Sequence, residues 1–348
     1  MRPEPPPPTL RLTIDTDALA DNWRALDAMS GAADAGAAVK ADCYGLGVDT
    51  CLPVLRVAGA KAFFVAHWSE VADVVRHVAP EQVAVLHGPM RNEDVAYACS
   101  IGALPVINSL EQARRWKAGG GGRCHLMVDT GINRLGVSLA ELQDPAIAAL
   151  EVDVLMSHLS AAEDVDETVS ARQLARFRDA IPQVRHRAVS LANSAGLALG
   201  PEYAFNLTRP GLALYGGVPR PEMAPHLRQV AFVEAAILQV RKLQVGDAVG
   251  YNGAFVADRT MPVATVSLGY ADGFLRSRGP GGALFHDNAR LPLLGKVSMD
   301  MVVVDLSDAP DLAEGDWLQV PYSLPDAAQQ SSLSQYELLT ALGRRLRS

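Results

Sequence analysis

The sequence predicts an α/β protein in which a (β/α)8 TIM-type barrel is followed by a mostly antiparallel β domain. Three observations carry that reading. Eight short apolar runs alternate with amphipathic stretches between residues 36 and 209. Continuous apolar runs are what strands buried on both faces require, and alternation with helices implies parallel pairing. After about Pro219 the rhythm changes to strand-like segments separated by Gly, Asp and Pro turns. A barrel needs eight βα units in about 200–250 residues, which fits the first part. A doubly wound open sheet is the competing architecture, because periodicity does not show closure.

The elements follow in order. Met1 to Pro8 is a proline-rich leader, Leu10–Ile14 alternates as a short strand, and Asp15–Met29 carries apolar residues at helical spacing. The eight predicted barrel strands are Gly36–Lys40, Ala62–Ala66, Val83–His87, Leu104–Asn108, Cys124–Asp129, Val154–His158, Ala188–Ala192 and Phe205–Arg209. Helices are expected between them, among others over Ser69–Val78, Glu93–Ile101, Leu110–Ala118, Leu139–Leu150 and Thr168–Ile181. The second part predicts strands over Val230–Val245, Val249–Val256, Pro262–Ser267, Leu291–Leu294, Lys296–Leu306 and Trp317–Val320, then a helix over Ser332–Arg345. The domain boundary is expected near residue 230, with a first domain over 1–230, including the leader strand, and a second over 231–348.

Composition bounds the function. The 348 residues are 49% hydrophobic and 20% charged, as in an ordinary globular protein. A net charge of -8 argues against nucleic acid or an anionic membrane as the main partner. No apolar run reaches the roughly 18 residues of a membrane span, and the leader lacks the apolar core of a signal peptide, so the cytoplasm is expected. The cysteines at 43, 51, 99 and 124 show no CxxC spacing, which argues against a zinc site or a disulfide framework.

In a parallel barrel the chemistry sits at the C-terminal ends of the strands. Strand one ends at Lys40, followed by Ala41-Asp42-Cys43-Tyr44-Gly45-Leu46-Gly47. A poorly hydrated lysine offers its neutral amine more readily, as Schiff-base chemistry with an aldehyde requires; the alternative is a strand-end lysine reaching for water. Strand five runs into Asp129-Thr130-Gly131-Ile132-Asn133-Arg134, strand six into Ser157-His158, strand seven into Asn193-Ser194 and strand eight into Arg209-Pro210-Gly211. The loops after strands seven and eight often form a phosphate site, and Ser194 with the Gly211 and Leu212 N–H groups suits one, although each alone reads equally as an ordinary turn. His158 has the flat ring that packs on a heterocycle. Arg209, if it meets a pyridine nitrogen, can donate a hydrogen bond but cannot protonate it.

These strings resemble those of alanine racemases along nearly the whole chain, joined in the second part by Gly250-Tyr251-Asn252-Gly253, Gly269-Tyr270-Ala271-Asp272-Gly273 and Ser298-Met299-Asp300. The resemblance implies a pyridoxal phosphate enzyme that interconverts L- and D-alanine by a two-base mechanism and supplies D-alanine for peptidoglycan. It implies Lys40 as the cofactor lysine and one base, with Tyr251 as the other. Tyr44, Ser194, Gly211 and Leu212 would hold the phosphate, with Asn193 beside them, Arg209 would meet the pyridine nitrogen, and His158 would stack. Arg134, Met299 and Tyr270 would contact the substrate or its path. A homodimer with shared active sites, an amino-acid substrate and no metal are further implications.

The chain also departs from that pattern. Many relatives carry a carbamylated lysine where Met127 stands, and a tyrosine near Gly343. Alternative readings are a serine or broad-specificity racemase, and a non-catalytic pyridoxal phosphate-binding protein, against which the domain bearing Tyr251 argues.

Overall fold

The computed structural model describes residues 6–346. One compact unit comprises residues 16–228; the other combines the described residues 6–15 with 229–346. The leader strand Leu10–Ile14, placed with the barrel in the sequence-based division, therefore belongs to the β unit. Its residues pair antiparallel with Ala231–Ala235, in register from Leu10 opposite Ala235 to Ile14 opposite Ala231. An isolated five-residue strand carries no periodic trace of its partner, which lies more than 200 residues away in the chain.

In the first unit, seven strands pair parallel in chain order: Ala37–Ala38, Phe63–Val65, Val83–Val85, Leu104–Ile107, Arg123–Met127, Glu151–Met156 and His186–Ser190. The eighth, Leu207–Thr208, closes the ring. It pairs with Asp34–Ala35, while Gly36 N and Ala38 N donate to Thr208 O (3.0 Å) and Pro210 O (2.8 Å). On its other side Asn206 N and Arg209 N donate to Val189 O (3.0 Å) and Ala192 O (2.9 Å). The closed barrel replaces the open sheet as the architecture of this unit.

The helices follow local chemistry. Thr16–Ser30 buries Leu19, Trp23 and Leu26, and the buried Asn22 amide donates to Leu214 O (3.2 Å) and Arg228 O (2.8 Å). Ser109 caps Leu110–Ala118 by accepting from Gln112 N, and Gly102 in the left-handed region ends Asn92–Ile101. Two expected helices are shorter than their apolar spacing suggested. Ser69–Val78 resolves into a 3-10 turn and the four-residue helix Val71–Val74, and Pro145 splits Leu139–Leu150 into a 3-10 turn and Pro145–Ala148.

In the β unit, the 13-residue strand Ala231–Leu243 pairs with Leu10–Ile14, Met261–Val266 and Trp317–Val320. The sheet continues through Val302–Asp305, Ala289–Leu294 and Ala283–His286 back to Trp317–Val320. Leu243, Met261, Val263 and Leu294 pack together inside it. The strand Ala283–His286 and the helix Leu324–Ser331 were not anticipated, and Ser332 at φ +57° separates that helix from Gln335–Thr340. No helix among the described residues is long and apolar enough to cross a membrane.

Candidate active site

The first barrel strand ends in an unusual turn. Ala41, Asp42, Cys43 and Tyr44 all have φ between +53° and +56°, a run of left-handed residues that costs L-amino acids roughly 1–2 kcal/mol each. The surroundings hold it in place. The Glu70 carboxylate accepts from Ala41 N (2.5 Å), Ala66 N (2.7 Å) and His67 N (2.9 Å), tying the ends of strands one and two together. Asp42 Oδ1 accepts from Val48 N (2.7 Å), and Gly45 N and Gly47 N donate to Ala41 O and Asp42 O, each at 2.9 Å. The turn leaves Lys40 half-buried at the barrel mouth and folds Tyr44 inward, its ring centroid 4.9 Å from that of Tyr215. Burial of the Lys40 amine, reinforced by the Arg134 guanidinium and opposed by Glu70, pulls its pKa below the ordinary lysine value.

Strand eight delivers Arg209 into the barrel, only 6% exposed. Its partners are neutral: Nη1 donates to Ser190 Oγ (2.5 Å) and Nη2 to Ser157 O (2.5 Å) and Leu191 O (3.4 Å). Burial lowers its pKa to about 10, so it remains a cation at neutral pH. Beside it His158 is pulled down to about 3 by burial and by the positive charges of Arg209, Arg134 and Lys40. Its ring is therefore neutral, which suits packing against an aromatic ligand without added charge.

The loops after strands seven and eight meet at Ser194, whose hydroxyl accepts from Gly211 N (2.8 Å) and Ala213 N (3.2 Å). A Cβ on Gly211 would lie 2.2 Å from Tyr44 Oη and 3.3 Å from Ala38 Cβ. Tyr44, Ser194, Gly211 and the neighbouring Leu212 thus share one cluster beneath Lys40's strand. The Asn193 side chain caps its own turn, accepting from Gly196 N (2.9 Å), while its backbone bridges to Arg209.

Arg134 is exposed on the loop after strand five, and the Asp129 carboxylate organises that loop by accepting from the N–H groups of Gly131 (2.7 Å), Asn133 (3.2 Å) and Arg134 (3.2 Å). Below it the Thr130 hydroxyl meets that of Ser157 (2.7 Å), and the Gln173 amide donates to Thr130 Oγ1 (3.3 Å) and His158 O (2.9 Å). Met127 is buried beside Gly136, where a Cβ would lie 3.1 Å from Met127 Cγ. A thioether there supplies no negative charge.

Sequence reasoning missed Glu70, Gln173 and a pair of histidines. His67 and His87 stand at the ends of strands two and three with ring centroids 4.2 Å apart. Burial pulls the His87 pKa down, helped by His67, Lys40 and Arg134 and opposed by Glu70. The strand-end rule that selected His158 would have selected both; Glu70 and Gln173 carry no such signal.

The β unit presents the remaining predicted residues. Tyr251 is 66% exposed in a turn that includes Asn252 at φ +63°, and Met299 is 53% exposed. Tyr270 N donates to Ser298 O (3.1 Å) and Ala271 N to Met299 O (3.0 Å), so the Tyr270 and Met299 loops are zipped together. Only glycine fits at 269, where a Cβ would lie 2.2 Å from Met299 O. Arg345 clamps the same two loops, donating to Asp272 Oδ1 and Asp300 Oδ1, each at 2.7 Å. Gly343 packs so closely that a Cβ would lie 2.4 Å from Ala271 O, leaving no place for a tyrosine side chain there without rearrangement.

Residues 14–219 match the family model for the alanine racemase N-terminal domain, and residues 230–348 match that for the C-terminal domain. The chain is 41% identical over 343 residues to an alanine racemase of Cereibacter sphaeroides, covering 97% of each. It is 38% identical to both the catabolic and the biosynthetic alanine racemase of Agrobacterium fabrum, covering 97% of this chain in each case and 90% and 92% of those proteins. Among solved structures, it superposes on alanine racemase from Bartonella henselae, determined with covalently bound pyridoxal phosphate. The TM-score is 0.89 at 34% identity over 97% of this chain and 98% of that one.

Proposed function

The chain belongs to the alanine racemase family, pyridoxal phosphate-dependent isomerases that act on amino acids, and we propose that it interconverts L- and D-alanine by a two-base mechanism. The observation that carries this is Lys40, its amine pKa depressed by burial on a braced left-handed turn, at the mouth of a barrel that also holds a buried Arg209 with neutral partners.

The residues fit the cofactor. Ser194 with the Gly211 N–H, next to Tyr44 and Leu212, forms a cradle in which a Cβ at 211 would collide with Tyr44 Oη, 2.2 Å away. Asn193 holds the turn that presents Ser194. Arg209 would meet the ring nitrogen as a donor that gives up no proton at neutral pH, and neutral His158 would pack against the ring. When bound, pyridoxal phosphate supplies an electron-withdrawing ring that acidifies the substrate's Cα–H. By donating a hydrogen bond without a proton, Arg209 would keep that ring a weaker electron sink and so limit side reactions such as transamination.

Inversion at Cα needs a proton taken from one face and delivered to the other. Lys40, neutral more readily than an ordinary lysine, serves one face, and Tyr251 serves the other. Arg134 grips the substrate carboxylate. Met299 reaches the carboxylate through its N–H, and Tyr270 lines the approach. The exposure of Tyr251 and Met299 on the β unit suits residues whose partners lie elsewhere, and a homodimer with shared sites supplies them. In the cell, the cytoplasm, the product is D-alanine for peptidoglycan.

The test is to follow interconversion of L- and D-alanine beside L- and D-serine with the purified, cofactor-loaded protein, then to reduce it with borohydride and map the adduct. Alanine should racemise fastest and the adduct should sit on Lys40. An adduct on another lysine, or serine turned over faster than alanine, would overturn the assignment.

A further inference from the structure

The β unit contains a cavity of about 690 Å³ that the racemisation chemistry does not use. That volume lies in the range of small-molecule sites. Phe232, Phe274 and Tyr322 supply apolar wall, and Gln319 and Gln330 supply neutral amides. Arg278 also lines it, at the end of the turn Arg276–Arg278, and is only 2% exposed. Among the described residues its guanidinium makes one hydrogen bond, from Nη2 to Pro321 O (2.5 Å), and its buried Nε has no partner. Among the described residues no carboxylate forms an ion pair with it. Glu234 and Asp326 line the same cavity without reaching it.

Such burial is costly. A guanidinium taken out of water forfeits several kcal/mol of hydration, which a single neutral carbonyl does not restore. The ring faces of Phe274, 4.6 Å from Arg278 Cζ, and Tyr322, 6.0 Å, contribute cation–π attraction and no counter-charge. The remaining donors form part of a planar fork, which matches a carboxylate better than a point cation would. The aromatic wall beside the fork favours an anion with an apolar body over a bare inorganic ion.

We propose that this cavity is a second ligand site, distinct from the racemase centre, that takes a small organic carboxylate with an apolar body on Arg278. The site rests on the β unit alone and stands whatever substrate the barrel prefers.

Benzoate is the probe, with benzyl alcohol as its uncharged counterpart and inorganic phosphate as a competing anion. Titrated by calorimetry into the full-length, cofactor-loaded protein, benzoate should bind saturably. Arg278→Met, which keeps the apolar stem, should weaken binding by about tenfold or more, the share of one charge-assisted hydrogen bond. Arg278→Lys should recover only part of it. Because Arg278→Met removes a buried residue and could impair folding, the wild-type protein is examined in parallel by NMR of the arginine Nε–H groups. Benzoate, and not benzyl alcohol, should shift the Arg278 signal, assigned from the Arg278→Lys spectrum. Absence of saturable binding, equal binding of benzyl alcohol, undiminished binding by Arg278→Met, or displacement of benzoate by an equal concentration of phosphate would each overturn the assignment.

Discussion

His125 lies inside the barrel, 7% exposed, with Nδ1 accepting from Val154 N at 3.3 Å. Burial, with the guanidiniums of Arg123 and Arg209 adding to it and Asp153 opposing, pulls its pKa from 6.5 to about 4. As pH falls below 6.5, the unfolded chain gains a proton there that the folded chain refuses, so folding stability is full above 6.5 and declines toward pH 4. By pH 5 this amounts to about 2 kcal/mol. His125→Asn keeps an acceptor but does not titrate. Its urea midpoint should fall less than the wild type's between pH 7.5 and 5, and equal slopes would rule the account out. Lys40 depends on its neighbours in the same sense, lowered by burial and a guanidinium and raised by a carboxylate. Arg134→Gln removes a nearby positive charge, so the Lys40 pKa rises and its neutral amine becomes scarcer. Reconstitution of cofactor-free protein with pyridoxal phosphate should slow, more at pH 7 than at pH 9; a rate loss independent of pH would assign Arg134 another role. Lys40, His158 and Arg209 were legible because each follows an apolar run at a strand's C-terminal end. Glu70 and Gln173 were not, since a lone polar residue in an amphipathic stretch looks like any solvated helix position.

The barrel strands could be read as elements because burial on both faces leaves continuous apolar runs. Closure could not, because it rests on backbone bonds such as Ala38 N to Pro210 O (2.8 Å), which leave no mark on side-chain pattern. The left-handed turn after Lys40 was equally hidden. Of its four residues only Asp42 is of a type that visits that conformation routinely, and Glu70 and the glycines at 45 and 47 hold the others there. This turn and the Gly211 loop form one unit, since Tyr44 from the first occupies the space a side chain at 211 would need. Gly211→Ala should therefore displace the Tyr44 ring, cost about 1–3 kcal/mol of stability as overpacking does, and loosen the cofactor. Adding Tyr44→Phe removes the oxygen that lies 2.2 Å from the new Cβ. The double variant should melt above the sum of the single losses, and strictly additive melting temperatures would disprove the contact.

At the scale of the whole molecule, the chain crosses between its units twice, after Asp15 and after Arg228. The leader strand hydrogen-bonds to Ala231–Ala235, so residues from both ends of the chain build the β unit. The proposed bases are divided between the units, Lys40 on the barrel and Tyr251 on the β unit. Either one chain supplies both bases of a site, or a two-fold dimer pairs each barrel with the partner's β unit, and the two arrangements differ in how inactive variants combine. Lys40→Ala and Tyr251→Phe should each abolish racemisation. If sites are shared across a dimer, a mixed dimer has one site carrying both defects and one wholly intact. Random assembly from equal amounts makes about half the dimers mixed, so about a quarter of wild-type sites should return. If each site is built from a single chain, no intact site can form, and co-refolded mixtures will stay as inactive as the separate variants.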